Sequence, residues 1–580
     1  MTHWIESGSP ASPVWLVGEA PGRQEIEQGS PLVGASGQEL NKMLAEAGWP
    51  TTGFFRSNIC HERPPSYQLR GRWIHNDIER FFAGKLQAKR EGIPEVNGRY
   101  PQLPIQTGLA RLSRLALQHH PRLILALGGS ALWGLCGRDG ITKWRGSVLD
   151  AGEEYGGGKV VPTLHPAIIA DQSKGQYTYR PIIVQDLRRA KRELEQPTPP
   201  PAWDFCVAPT LSDVKDWLLP WIWDKTPLVA DTEGLGVVDC IGFADSSKRA
   251  ICIPFTKGDG TSYWSKEDEI FVFGLVRNAL CTCPITFHNA IWDMQVIGKN
   301  WGYLPNLQDD TMVAQHCAFP GLLGGKIDPV TGQTDKRGSS LSLSFCASMY
   351  CEQYVYWKDD GRLRGVEHDD QSFWRYNCED CARTYEVRTA LIDSVLPSAK
   401  LVEQYRFLMS LFRPVLKIMF RGVRVDRGRA TALKEEITQA RAAQQAWLDA
   451  SLGYHLNVHS TAQNGEVQAL FYSDLNCDVV KSRKTGALST DNEALDTIAR
   501  RNPVLLPLVR VVQNIRSLDT NEATFLRPVL GGWKGKEWIE PCGERLRTCL
   551  NIAGAETFRF TSNETAFGEG LNLQNWTRPE

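Results

Sequence analysis

The stretch EQPTPPPAW, residues 195–203, constrains this chain more than any other. Proline fixes φ and lacks an amide hydrogen, so no helix or central strand can run through it, and a stiff extended connector results. At 580 residues the chain also exceeds the roughly 250–300 at which single cores stop growing. Three or four domains are therefore expected, the first ending at the proline run. With 42% apolar and 23% charged residues the composition is that of a globular protein. No apolar run approaches the ~20 residues of a membrane span, and MTHWIESGSP lacks the regions of a signal peptide. A cytoplasmic protein without a membrane partner is expected. The net charge of −1 neither advertises nor excludes nucleic-acid binding, because a local basic groove can supply phosphate contacts. The 15 cysteines are scattered and odd in number, which favours reduced thiols. The close pairs Cys281/Cys283 and Cys378/Cys381 have no second pair at zinc-site spacing, so no structural zinc is expected.

Before the prolines the chain reads as α/β. VWLVG and RLILALGG are apolar runs ending in glycine and followed by helical patterns, and KVVPTLHP supplies another strand. Ser36 and Glu39 have the spacing of a capping box ahead of LNKMLAEAG. Glu19, Asn58 and His165 fall just beyond strand ends, where ligands bind in parallel sheets.

In the middle of the chain, PLVADTEGLGVVDCIGFA places Asp231 and Glu233 two apart on a strand, hence on one face. In TFHNAIWDMQVI, Asn289 and Asp293 are four apart, the spacing of one helical face, and in WRYNCEDCARTYEV Tyr376 and Asp380 repeat it. Phosphodiester cleavage needs charge stabilisation at both the attacking and the leaving oxygen, which two divalent ions supply. Hard Mg²⁺ or Mn²⁺ wants oxygen ligands, hence acidic side chains and no Cys or His cluster. A nearby tyrosine hydroxyl can orient the attacking water.

The N-terminal motifs GEAPG, GSPLVGASGQEL, SNICHERPP, LALGG and TLHPA resemble the uracil-DNA glycosylase superfamily, closest to its family 4, over roughly residues 12–190. The resemblance implies an α/β/α sandwich. In it Glu19 would place the attacking water, Asn58 would bind the base edge, and His165 would stabilise charge on the departing base. Two departures stand out. Leu32 occupies the position of the family's stacking Phe, and no Cys precedes Cys60, so no iron–sulfur cluster is expected.

The carboxylate motifs resemble the DnaQ-like 3′–5′ exonuclease domain of family A DNA polymerases, over roughly residues 205–395. That implies an RNase H-like fold in which Asp231, Glu233, Asp293 and Asp380 bind two Mg²⁺ or Mn²⁺. Tyr376 would orient water and Asn289 would contact substrate. DDTMVAQHCAFPG and SLSLSFCASMY are similar to the family's connecting helices.

From about residue 400, long helical patterns such as RGRATALKEEITQARAAQQAWLDASL resemble the thumb of the same polymerases, and RLRTCLNIAGAETFRFTSN resembles the opening of the palm. Arg559 would reach the minor groove at the primer end, and Asn572, Gln574 and Asn575 would line the template-primer. Phe558 stands where the family has Gly.

The fold expected is thus multidomain α/β and α+β: a glycosylase-like domain over 1–195, a Pro-rich linker over 196–204, an exonuclease domain over 205–398, and a mainly helical thumb with partial palm over 399–580. The domain order resembles bacteriophage polymerases. The partners expected are single-stranded 3′ ends and primer-template duplex. The polymerase metal motifs would follow the NLQN segment and are not in this sequence, so a second polypeptide carrying palm and fingers is expected, and no synthesis by this chain alone. A stand-alone repair nuclease that couples base excision to end trimming, and a non-catalytic DNA-binding scaffold, are the other two functions compatible with these motifs.

Overall fold

The computed structural model describes residues 4–69, 72–74, 77–170, 176–234, 236–321, 326–327, 334–335, 340–359, 369–460, 465–482, 487–568 and 573. The chain forms two compact units: Met1–Asp293 with Gly302–Met409, and Met294–Trp301 with Ser410–Glu580.

Among the described residues, the first unit contains two large sheets beside two two-stranded ones. In the N-terminal one, β1 (Val14–Gly18), β2 (Phe55–Asn58), β3 (Leu123–Leu127), β4 (Leu149–Asp150) and β5 (Lys159–Thr163) lie in the order β2-β1-β3-β5-β4. All pairings are parallel except that of β4 with β5. Alternate residues of each strand face opposite sides, and both sides are apolar. Leu16, Leu125 and Val161 pack against Leu40, Met43 and Leu44 of α1 (Ala35–Glu46). Trp15, Ile124 and Val160 pack against Ile105, Leu109 and Leu112 of α2 (Leu103–His119). A sheet buried on both faces is the α/β/α sandwich, and α3 (Arg180–Glu195) closes it with Ile183, Leu187 and Ala190. One local expectation fails here. Ser36 lies inside α1, whose cap is Gly34 with no side-chain bond.

The second sheet holds β6 (Asp204–Cys206), β7 (Leu228–Glu233), β8 (Cys240–Ala244), β9 (Arg249–Pro254), β10 (Ile285–Phe287) and β11 (Leu307–Asp310), in the order β11-β10-β7-β8-β9-β6. The meander β7–β8–β9 is antiparallel, and β10 joins β7 in parallel. The helix α4 (Ala290–Trp301) follows β10. Two later helices of this part are α5 (Leu343–Tyr350) and α6 (Asp370–Ala390). Phe373, Trp374, Cys378 and Cys381 of α6 lie on Cys240, Ala244, Ala250 and Cys252 of the sheet. Gly242 lets α6 approach closely, because a Cβ there would stand 2.4 Å from Asn377 Oδ1 and 2.7 Å from Cys381 Sγ.

The two sheets are not independent modules. Phe345 of α5 is buried in the same core as Leu16 and Leu187. The proline stretch therefore ends a sheet but not a compact unit.

The second unit is helical around α7 (Arg427–Leu452), α8 (Asn492–Arg501) and α9 (Leu506–Asn521). The carboxylate of Asp426 caps α7 by accepting from Arg429 N at 2.9 Å. Leu448, Leu495, Ile498, Val509 and Val512 share its core. Two short hairpins follow, Gly532–Lys534 with Glu537–Ile539 and Cys549–Asn551 with Thr561–Asn563. Phe558 has φ +58°, the left-handed region that glycine enters without cost. Among the described residues, no helix is long and apolar enough to cross a membrane.

Candidate functional site

Strand periodicity puts Asp231 and Glu233 on one face of β7, and α6 crosses that face with Asp380. Oxygens of these three carboxylates all lie within 4.8 Å of one another. Three hard, anionic oxygen donors at that separation are the donor set a divalent cation such as Mg²⁺ or Mn²⁺ takes.

Asp293, expected as a fourth ligand, is 3% exposed, in the first turn of α4. Its Oδ1 accepts from Thr232 N at 3.0 Å and from Thr232 Oγ1 at 2.7 Å, so it grips the strand between Asp231 and Glu233. The tight three-carboxylate group does not include it.

Asn289 does not share a helical face with Asp293. It precedes α4 with φ +71°. The reason is Asp310, whose carboxylate accepts from Asn289 N at 3.2 Å and from Ala290 N at 2.7 Å. The same carboxylate caps the helix Thr311–Ala318 through Met312 N and Val313 N. One buried acid thus fixes two helix starts.

Four side chains that no motif marked complete the cluster. Asn377 Nδ2 donates to Asp231 Oδ2 at 2.9 Å. Trp357 Nε1 donates to Asp380 Oδ1 at 2.6 Å. The Lys358 ammonium pairs with Asp380 Oδ2 and lies 3.0 Å from the Tyr376 hydroxyl. Thr232 is the fourth. Asn377 and Thr232 adjoin expected site residues in the sequence. Trp357 and Lys358 lie in VYWKDD, which has no periodicity and no spacing rule to single it out.

Clustered acids out of water resist ionisation. Burial, then Asp380 beside it, pushes Glu233 up to about 8. Burial pushes Asp293 to about 7, and raises Asp231 well above the carboxylate range, with Glu233 adding to it. Burial works against the charge of Lys358, but Asp380 first among its neighbours holds it protonated.

These shifts fix a sign. Between its ordinary 4.5 and about 8, Glu233 holds more proton in the folded than in the unfolded metal-free chain, so its contribution to stability falls as pH rises through that window. In EDTA, Glu233→Gln is expected to melt like the parent near pH 5. At pH 8 it should be more stable by on the order of 2 kcal/mol. Thermal melts of both chains across that range check it. A constant difference would contradict the assignment.

In the N-terminal sheet, Glu19 follows β1, Asn58 ends β2 and His165 lies two residues beyond β5. Glu19 accepts from Ser130 Oγ at 2.7 Å, and burial raises its pKa. Burial lowers His165 to about 4, which keeps it neutral, and its Nδ1 accepts from Ala167 N at 3.2 Å. Asn58 lines a small, partly open pocket together with Trp4 and His61. Leu32 is 5% exposed, with φ +56°, and packs in the core with Leu40, so it presents no ring face. Arg559 is exposed in the second unit, whereas Asn572, Gln574 and Asn575 lie outside the described residues.

Comparison with known proteins finds two likenesses. Residues 5–188 match the uracil DNA glycosylase superfamily, so the chain carries a domain of that superfamily. The type-4 uracil-DNA glycosylase of Thermotoga maritima is 28% identical over 189 residues, 32% of this chain and 80% of that protein. DNA polymerase I of Bacillus caldotenax is 28% identical over 254 residues, 43% of this chain and 26% of that protein. A solved structure described as the POL domain of Pol1 from M. smegmatis in complex with DNA primer-template and dNTP aligns with a TM-score of 0.43. It is 19% identical and covers 65% of this chain and 56% of that one. The chain therefore combines regions similar to a DNA glycosylase and to a DNA polymerase, and spans about a quarter of the matched polymerase's length.

Proposed function

We propose that the chain is a 3′–5′ exodeoxyribonuclease, the proofreading part of a family A DNA polymerase of bacteriophage type, fused to a glycosylase-superfamily domain that holds DNA. The observation that carries this reading is the convergence of Asp231, Glu233 and Asp380 within 4.8 Å of one another. Asp231, Glu233 and Asp380 would hold Mg²⁺ or Mn²⁺, with Asp293 beside them, and such ions stabilise charge on the attacking and leaving oxygens.

The chain's own groups orient and exclude. Tyr376 presents its hydroxyl to the attacking water, whose oxygen bonds to phosphorus while the bond from phosphorus to the penultimate nucleotide's O3′ breaks. The water's proton passes to a carboxylate of the cluster, and the departing O3′ takes up a proton. A nucleoside 5′-monophosphate leaves, and the shortened strand keeps a 3′ hydroxyl. Arg559, exposed in the second unit, would contact duplex.

The test uses the full chain with Mg²⁺ and 5′-labelled DNA. Stepwise shortening from the 3′ end is expected, about tenfold or more faster on single strands and mismatched ends than on paired ends, because unpairing a terminal base costs a few kcal/mol. Release of label from the 5′ end, or no shortening, would overturn the reading.

A further inference from the structure

The cluster contains a cation that the exonuclease motifs do not mark. Lys358 lies between α5 and α6, with its side chain 25% exposed. Its ammonium pairs with Asp380 Oδ2, reaches the Tyr376 hydroxyl at 3.0 Å, and stands 4.9 Å from the centre of the Tyr376 ring. An ammonium has three donors and no acceptor. In this contact the phenol oxygen therefore accepts, and the phenol's own hydrogen is left for another partner.

The backbone that delivers Lys358 is pinned on both sides by the N-terminal domain. Arg189 Nη2 donates to Cys351 O at 2.6 Å, and Val148 N donates to Tyr354 O at 3.0 Å. Tyr356 N donates to Ser147 Oγ at 3.1 Å, and Lys143 Nζ reaches Asp359 Oδ2 at 3.1 Å. Ser147 is 0% and Tyr354 2% exposed, so the bonds at Tyr354 and Ser147 lie largely away from water, whereas the Lys143–Asp359 pair is partly exposed. A solvated surface lysine has no such support.

We propose that Lys358 is a positioning residue of the exonuclease, which fixes the Tyr376 hydroxyl so that its O–H serves the attacking water. The proposal rests on the exonuclease reading above. The glycosylase-superfamily domain then supports the nuclease directly, because its residues 143–148 hold the irregular segment that carries Lys358.

The test is a double-mutant cycle on the full chain, with Lys358→Met, Tyr376→Phe and both together. A residue acting through Tyr376 loses its effect once the hydroxyl is gone. Lys358→Met alone is expected to lower kcat about tenfold to a hundredfold with KM little changed. In the Tyr376→Phe background the same change should cost less than about twofold. Lys358→Gln, which keeps a donor without the charge, should fall between parent and Lys358→Met, and it replaces the Met variant if that one melts much lower. Binding of a fluorescein-labelled oligothymidylate in EDTA, followed by anisotropy, should be unchanged by Lys358→Met. Independent losses in the cycle, or weakened binding in both backgrounds, would show Lys358 acting on DNA or on the carboxylates alone and overturn the proposal. If the parent shortens DNA and Lys358→Met matches it, only this assignment falls. If the parent does not shorten DNA, the exonuclease reading falls as well.

Discussion

The Asp231→Ala, Glu233→Ala chain is expected to lose 3′–5′ degradation of single-stranded DNA by at least about a thousandfold, some 4 kcal/mol of transition-state stabilisation. The two changes leave Asp380 as the one carboxylate of the close trio, and a single oxygen ligand does not hold a divalent ion against water. The loss should not come from unfolding. Asp231 and Glu233 are held above the ordinary carboxylate range by burial and by each other or by Asp380, so removing them relieves a cost at neutral pH. In EDTA at pH 8 the double variant should melt no lower than the parent. Inactive and equally stable is the signature of a site removed. Activity above about a tenth of the parent's would place the chemistry elsewhere, and a melting temperature far below the parent's would make the acids structural.

Much of that site was legible because it obeys local periods. Asp231 and Glu233 share a face because strands repeat every two residues, and Tyr376 and Asp380 share one because helices return after about four. Three strands of the N-terminal sheet, β1, β3 and β5, were legible as apolar runs, the first two with glycine at their ends, whereas β2 and β4 were not. What escaped depends on contacts distant in sequence. Asn289 has the spacing of a helical face with Asp293, but Asp310, 21 residues on, captures its amide and starts the helix one residue later. Lys358 reaches Asp380 from an irregular segment that no period describes. The proline run ends a sheet in the sequence, yet the residues that join the N-terminal sheet to α5 lie some 160–200 positions apart.

That junction carries the second large expectation. Changing Asp186 to Ala should destabilise the first unit by about 3–5 kcal/mol, the cost of leaving a buried charge without its partner. Asp186, on α3, is 0% exposed. It pairs with Arg145 through Nε at 2.9 Å and through Nη2, and it accepts from Thr163 Oγ1 at 2.8 Å. Arg145 is 3% exposed and donates to Ser348 Oγ at 2.7 Å. Beside it Arg189, 2% exposed and lowered to about 10 by burial, donates to Ser348 O at 2.7 Å and to Cys351 O. Arg145 pairs with that carboxylate and Arg189 lies close enough to feel its charge, so without it the two buried guanidiniums repel each other where water does not screen them. Asp186→Asn keeps an acceptor for Thr163 but not the charge, so it should lose most of the same stability. The alanine variant should melt roughly 5–10 °C below the parent. Because Ser348 and Cys351 lie at the end of α5 and lead to Trp357 and Lys358, exonuclease activity should become heat-labile with it, although Asp186 lies on a helix that packs on the other sheet. An unchanged melting temperature would show that the guanidiniums find water or another acid, and that α5 is held by its apolar contact through Phe345 alone.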